Sequence, residues 1–496
     1  MYSTPLTAPT THFESQKRAP ASVLLLCCLA AVLLAASLFS AFVLPQAPGR
    51  MAEPSAVLIS QWPLWSLSVS LSLPVPRQSY SLAIALLVTS AIQFATYAGA
   101  VYLAWKTPSD RHRVCVVVGA ALLFFLIAVC ALPNVNRDIY NYIISGRVAA
   151  VYGANPYAVP PNRFLADPIY PYASARYMSY PGDNKLPAWM LLNVVLARLG
   201  GDDPVANLML YRVVFLLFNI ANLVLIARIL QTVYPRRLLA GLVLYAWNPI
   251  VIVYGQSKVD TVMAFFLLLA ALALVREKRK LAVVVLGLST LVKLITLPLV
   301  AVSLLYELRS RGAGDLAKSA LLLGLTAMAF YAPFWYGPQL LTTQLTSIGD
   351  VAAGGPGLVQ LMLYAGFALA VVWVGVSRDG RVESVLAGWA LVLALFAFFI
   401  SRLGFSWYLI TLIAVASLVA ERWLASVVII FSCVSFFLNA WDSASNETVQ
   451  MPVLFSASRS YFHLLFGSMI VLTLLALEVG RRARQRNRPQ YGVERR

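Results

Sequence analysis

Histidine and cysteine are scarce in this 496-residue chain, and their scarcity excludes several chemistries. His12, His112 and His463 lie far apart, so no histidine-based metal site is expected. Cys27, Cys28, Cys115, Cys130 and Cys433 all fall in apolar runs, where they act as small hydrophobes. They show neither a disulfide framework nor metal-ligand spacing, and no metal and no cofactor is expected. Charge is scarce as well: 12% of residues are charged against 60% hydrophobic, far outside the soluble norm. There is no short-period repeat, no low-complexity tract and no stretch left over for a separate water-soluble domain.

What the chain does have is a succession of apolar runs of about 20 residues, each long enough to cross a hydrocarbon core of about 30 Å. The expected fold is an all-α polytopic membrane protein with about 13–14 transmembrane helices. The net charge of +18 suggests nucleic acid at first sight. That reading fails, because Lys and Arg concentrate in short inter-helix loops and in the tail around Arg481–Arg488, as membrane topology requires. No nucleic-acid partner is expected, and the tail is suited to anionic lipid headgroups.

Lys17 and Arg18 precede the first span at 22–44 and put the N-terminus in the cytoplasm. Spans follow at 80–104 and 114–132, and then the longest outer segment, 133–205, rich in Tyr and Pro. Its stretch 187–199 is too short to span and is expected as an amphipathic helix in the interface. A span at 206–229 and a single span at 238–255 lead to Gln256-Ser257-Lys258-Val259-Asp260. The stretch 281–307, interrupted by Lys293, Thr296 and Pro298, has basic clusters at both ends. It is expected as a broken hairpin of two short helices. Later spans are expected at 318–335, 358–377 and 383–400, two more turning at Glu421-Arg422, and a last one at 460–479. The domain division is a cytoplasmic tail 1–21, one membrane domain 22–480, and a basic cytoplasmic tail 481–496.

Asp138 stands just beyond the third span, between Arg137 and a run of tyrosines. A partly desolvated carboxylate beside cations suits a general base; an Asp in front of helix-forming residues also caps a helix well. Tyr140, Tyr142, Asn155 and Tyr157 give rings and amides that either hold a sugar or anchor the interface. Lys258 and Asp260 either pair with each other, or Asp260 orients an acceptor hydroxyl while Lys258 meets a phosphate. Lys293, inside an apolar hairpin, costs about 2.5–3.5 kcal/mol unless it finds an anion or snorkels to the interface. Arg402 opens the segment ending in Trp407 and Tyr408; it and Arg147 are candidate phosphate ligands, since guanidinium binds phosphate through paired donors.

The ordered set Asp138-Ile-Tyr-Asn-Tyr, Gly-Ala-Asn155-Pro-Tyr157, Trp247-Asn-Pro, Gln-Ser-Lys258-Val-Asp260, Lys293 and Ser406-Trp-Tyr408 resembles integral-membrane glycosyltransferases of the GT-C superfamily. Within that superfamily it resembles bacterial polyprenol-phosphate-sugar mannosyltransferases of the family-87 type. The resemblance covers roughly residues 130–410. It implies a polyprenyl-phosphate-linked hexose donor, mannose in the usual case, and a glycolipid or glycan acceptor. It also implies transfer with inversion on the outer face of a bacterial plasma membrane, with Asp138 as the base. Two departures stand out: two spans precede the acid-bearing loop where many relatives have one, and Gln-Ser-Lys-Val-Asp replaces the usual acidic or His-Asn-Asp-like pattern after Asn-Pro. Broken helices also suit a transporter, and a lipid flippase or polysaccharide polymerase is the remaining alternative.

Overall fold

The computed structural model describes residues 11–43, 62, 79–131, 138–174, 178–181, 185–340, 358–377, 381–401, 405–419 and 421–448. Among them every regular element is helical. In chain order these are α1 (Thr11–Leu38), α2 (Ser79–Lys106), α3 (Arg111–Cys130), α4 (Asp138–Ala150), α5 (Pro187–Gly200) and α6 (Pro204–Val233). Next come α7 (Leu238–Ala246), α8 (Pro249–Tyr254), α9 (Asp260–Val275), α10 (Arg279–Val292) and α11 (Leu297–Arg311). The last are α12 (Ala313–Tyr331), α13 (Leu358–Ser377), α14 (Val382–Leu395), α15 (Leu409–Ala416) and α16 (Arg422–Thr448). Residues 1–441 form one compact unit; of the second, 442–496, only the end of α16 is described.

Among the described residues, six stretches are long and apolar enough to cross a membrane: Ala21–Phe42, Ile84–Lys106, Arg111–Cys130, Pro204–Val233, Ala313–Phe334 and Val382–Ile400. Five shorter apolar helices accompany them, and the span expected at 460–479 lies outside the described residues. The chain is an all-α polytopic membrane protein. Its outer helices present apolar side chains outward, such as Leu217 and Val224 on α6 and Leu321, Leu325 and Met328 on α12. That pattern suits a lipid surround rather than water.

α9 lies at the centre, against α6, α10 and α15. Its residues are apolar all round, as a helix buried on every side must be. The stretch 281–307 does divide into two helices, with the interruption at Lys293 and a 3-10 turn over Leu294–Thr296. The stretch expected as a span at 238–255 is not one continuous helix but two, α7 and α8. Asn248 caps α8 by accepting from the Ile250 amide, and Pro249 at the first helical position lacks the N–H that would continue α7, so the chain breaks there.

The segment between α3 and α6 is pinned to the bundle by polar side chains. α5 is the expected short helix, and it meets α4 so closely that a Cβ on Gly146 would sit 2.6 Å from the Asn193 carbonyl. Asn193 donates to the Tyr142 carbonyl at 2.6 Å and accepts from the Tyr211 hydroxyl on α6, tying three helices together. These contacts fix where α4 begins, and α4 begins with Asp138.

Candidate active site

Asp138 occupies the first turn of α4, where the unpaired amide groups and the helix dipole favour a negative charge. Its Oδ2 accepts from Lys258 Nζ. The lysine side chain is 1% exposed and the aspartate 32%, so the acid keeps an open edge while its partner is sealed. Lys258 sits in the turn between α8 and α9, with its ammonium 3.6 Å from the Trp407 ring centre. Directly after it, Asp260 opens α9 and accepts from Lys293 Nζ at 3.3 and 3.4 Å. Lys293 lies 3.9 Å from the Tyr408 ring centre. The two acid–lysine pairs therefore stand over neighbouring rings of one 3-10 turn, Ser406–Tyr408. A desolvated cation over such a ring gains about 2 kcal/mol.

Lys258 and Asp260 thus do not pair with each other; each joins a residue from elsewhere in the chain. Residues two apart across a turn point in different directions, which leaves each free to find a distant partner. A third lysine, Lys185, is buried beside them, 5.3 Å from the Tyr142 ring. Burial raises the proton affinity of the Asp138 carboxyl. The charges of Lys258, Lys185 and Lys293, with the Lys258 hydrogen bond, outweigh it and hold that carboxyl below the usual carboxylate range. Burial pushes the Lys258 ammonium the other way, below an ordinary lysine, against the pull of Asp138 and Asp260.

The sign of the Asp138 shift gives a pH prediction. An aspartate with a depressed pKa stays ionised below about pH 3.9, where a free one takes its proton. Lys258→Met removes the nearest of the charges holding it down. The acid limb of kcat/KM should then move to higher pH, because an adjacent opposite charge favours the ionised carboxylate. An acid limb that stays put in this variant separates Lys258 from the ionisation of Asp138.

The turn carrying Lys258 is held from beneath by two asparagines of α6. Asn219 Nδ2 donates to the Gly255 carbonyl at 2.9 Å and Asn222 Nδ2 to the Thr261 carbonyl at 3.1 Å. The Tyr245 hydroxyl links them, donating to Asn219 Oδ1 at 2.8 Å and accepting from Asn222. Asn219→Ala would leave the Gly255 carbonyl and the Tyr245 hydroxyl without this partner in an apolar interior, at about 1–3 kcal/mol. Because a 1 Å misplacement costs about 10²-fold in rate, turnover should fall at least tenfold with the protein still inserted. Unchanged kinetics in this variant mean that the turn does not depend on α6.

Other expected site residues stand apart from these pairs. Arg147 is 1% exposed and spends its guanidinium on Asp167 at 2.7 Å, Asp202 at 2.6 Å and the Gly201 carbonyl, which leaves it no free face for a phosphate. Asn155 donates to the Phe334 carbonyl at 2.7 Å and accepts from the Tyr157 amide. Tyr157 is buried against Phe334 and donates to the Lys185 carbonyl at 3.0 Å, so it anchors the segment that carries Lys185. Tyr140 packs against Tyr172 and Tyr142 against Trp189. Arg402 lies outside the described residues. Sequence reasoning missed Lys185, which had no signal beyond standing before Pro187. It also missed Asn219 and Asn222, whose signal was available: two amides inside an apolar span need partners.

Over residues 56–309, just over half of the chain, the sequence matches the family described as alpha-(1->6)-mannopyranosyltransferase, N-terminal domain. The match takes in Asp138, Lys185, Lys258, Asp260 and Lys293. No curated protein and no solved structure matches the chain. With two acid–lysine pairs set over neighbouring rings and a match over this length, the chain belongs to the alpha-(1->6)-mannopyranosyltransferase family and is a membrane glycosyltransferase that transfers mannosyl groups.

Proposed function

We propose that the chain moves mannose from a polyprenyl-phosphate donor to a glycolipid or glycan hydroxyl, with inversion, on the outer face of a bacterial plasma membrane. The observation that carries this reading is the two ion pairs, Lys258 with Asp138 and Lys293 with Asp260, set over the Trp407 and Tyr408 rings: they put ammonium groups suited to a phosphate beside a carboxylate that is partly exposed. Lys293 is the donor-phosphate ligand, and Arg402, whose guanidinium suits a phosphate, is a second candidate. The phosphate departs with the electron pair of its bond to the anomeric carbon, and the cations stabilise the charge that develops.

Asp138 is the base. Its open edge receives the acceptor hydroxyl; as the acceptor oxygen bonds to the anomeric carbon, its proton passes to the carboxylate. A single base suffices because phosphate leaves without protonation, unlike the two carboxylates of inverting glycoside hydrolysis. Lys258 keeps that base ionised, and Asp260 holds Lys293. Trp407 and Tyr408 give the sugar an aromatic floor. Both termini lie in the cytoplasm, in keeping with the basic loops and tail. The test is the purified protein in proteoliposomes with a panel of polyprenyl-phosphate sugars and nucleotide sugars. Consumption of the mannosyl lipid is expected. Transfer from a nucleotide sugar alone contradicts the reading.

A further inference from the structure

Elsewhere in the bundle, one buried cation has no acid among the described residues. Arg212, on α6 and buried, donates through Nη1 to the Val129 carbonyl at 2.9 Å and the Ala131 carbonyl at 2.5 Å, which are acceptors left over at the end of α3. Its guanidinium stacks 4.9 Å from the Trp62 ring. Among the described residues no carboxylate pairs with it, and its Nε and Nη2 carry no hydrogen bond. Two carbonyls and a ring solvate this cation in part but leave its charge unbalanced, which favours an anion.

The same guanidinium lines a cavity of about 70 Å³ between α1, α3, α6 and α8. Two more polar side chains in its wall lack partners among the described residues. Gln256 is 2% exposed, and both its amide atoms are buried and unpaired; Ser37 is 4% exposed, and its hydroxyl is likewise unpaired. Buried groups of this kind are rare unless a ligand or water completes them. The rest of the wall combines the apolar Ile127, Ile252 and Val253 with Ser40 and Ser257. On one side stands α1, whose Leu24, Leu25, Val32 and Leu38 are exposed as a lipid-facing helix would be.

We propose that this cavity binds the phosphate of an anionic phospholipid, with Arg212, Gln256 and Ser37 as its ligands. A phosphodiester carries the single negative charge that Arg212 lacks and offers oxygens to the guanidinium, amide and hydroxyl donors. Water can complete Gln256 and Ser37 but leaves the charge of Arg212 unbalanced, and a neutral sugar does the same. The apolar part of the wall and the lipid-facing α1 match acyl chains entering from the bilayer, and Ser40 and Ser257 suit the polar headgroup. The site is distinct from the recess around Lys293, and it touches that recess only through the chain: Gln256 is two residues before Lys258, and Arg212 grips the end of α3 ahead of Asp138.

The test is binding of dihexanoyl-phosphatidylglycerol to the full chain in a zwitterionic detergent, read by native mass spectrometry and by the unfolding temperature. Dihexanoyl-phosphatidylcholine and inorganic phosphate serve as comparison probes. One phosphatidylglycerol should bind saturably and raise the unfolding temperature. Gln256→Ala and Arg212→Gln should each weaken it at least about fivefold, while Lys293→Met leaves it within about twofold. If Arg212→Gln does not fold, Gln256→Ala decides alone. Equal binding of phosphatidylcholine, full competition by inorganic phosphate at the same concentration, or unchanged affinity in Gln256→Ala would overturn the proposal. Equal weakening by Lys293→Met would move the bound lipid to the donor recess and overturn it too.

Discussion

Asp138→Asn should lower kcat by about 10²–10⁴-fold, the range a positioned general base contributes, with KM for the donor little changed. The side chain keeps its size and can still accept from Lys258, so α4 and its packing on α5 should survive and the protein should accumulate in the membrane. What is lost is the negative charge that draws the acceptor proton. Asp138→Glu should recover part of the rate, because the base returns on a longer stem. Near-normal turnover by the amide would remove this residue from the chemistry, whatever its place in the recess.

Lys293→Met should raise the KM for the lipid-linked donor at least tenfold and lower kcat as well, because the ammonium acts on the phosphate both when bound and as it departs. The substitution also strips Asp260 of its partner. That carboxylate is 1% exposed and lysine is its ion-pair partner, and breaking a buried pair from one side costs about 3–5 kcal/mol. The two effects separate through Lys293→Arg, which keeps the charge and the pair. It should restore stability fully and donor affinity in part. Unchanged donor affinity in the Met variant would leave the phosphate to other cations.

The residues of the recess were legible in the sequence one by one. Asp138, Lys258, Asp260 and Lys293 each stood out because a charge beside apolar runs requires a reason. Their pairing was not legible. Lys258 finds Asp138 across 120 residues and Lys293 finds Asp260 across 33, and only the packing of α9 against α6 and α10 brings those positions to one place. Arg147 shared the local sequence of Asp138, yet it lies about two and a half helical turns along α4 and is taken by Asp167 and Asp202. Hydropathy alone drew 238–255 as one span; the Asn248-Pro249 pair, whose capping chemistry stops a helix, was the signal to the contrary. The helical hairpin broken at Lys293 was visible because its flanks were both basic.

The most direct test of a one-step displacement at Asp138 is the anomeric configuration of the first product. The wild-type protein in nanodiscs, supplied with polyprenyl-phosphate mannose of known anomer and no nucleotide, would be followed by NMR of the transferred sugar. The account predicts the opposite anomer to that of the donor. Retained configuration would require a second displacement and an enzyme-bound sugar, and would contradict it.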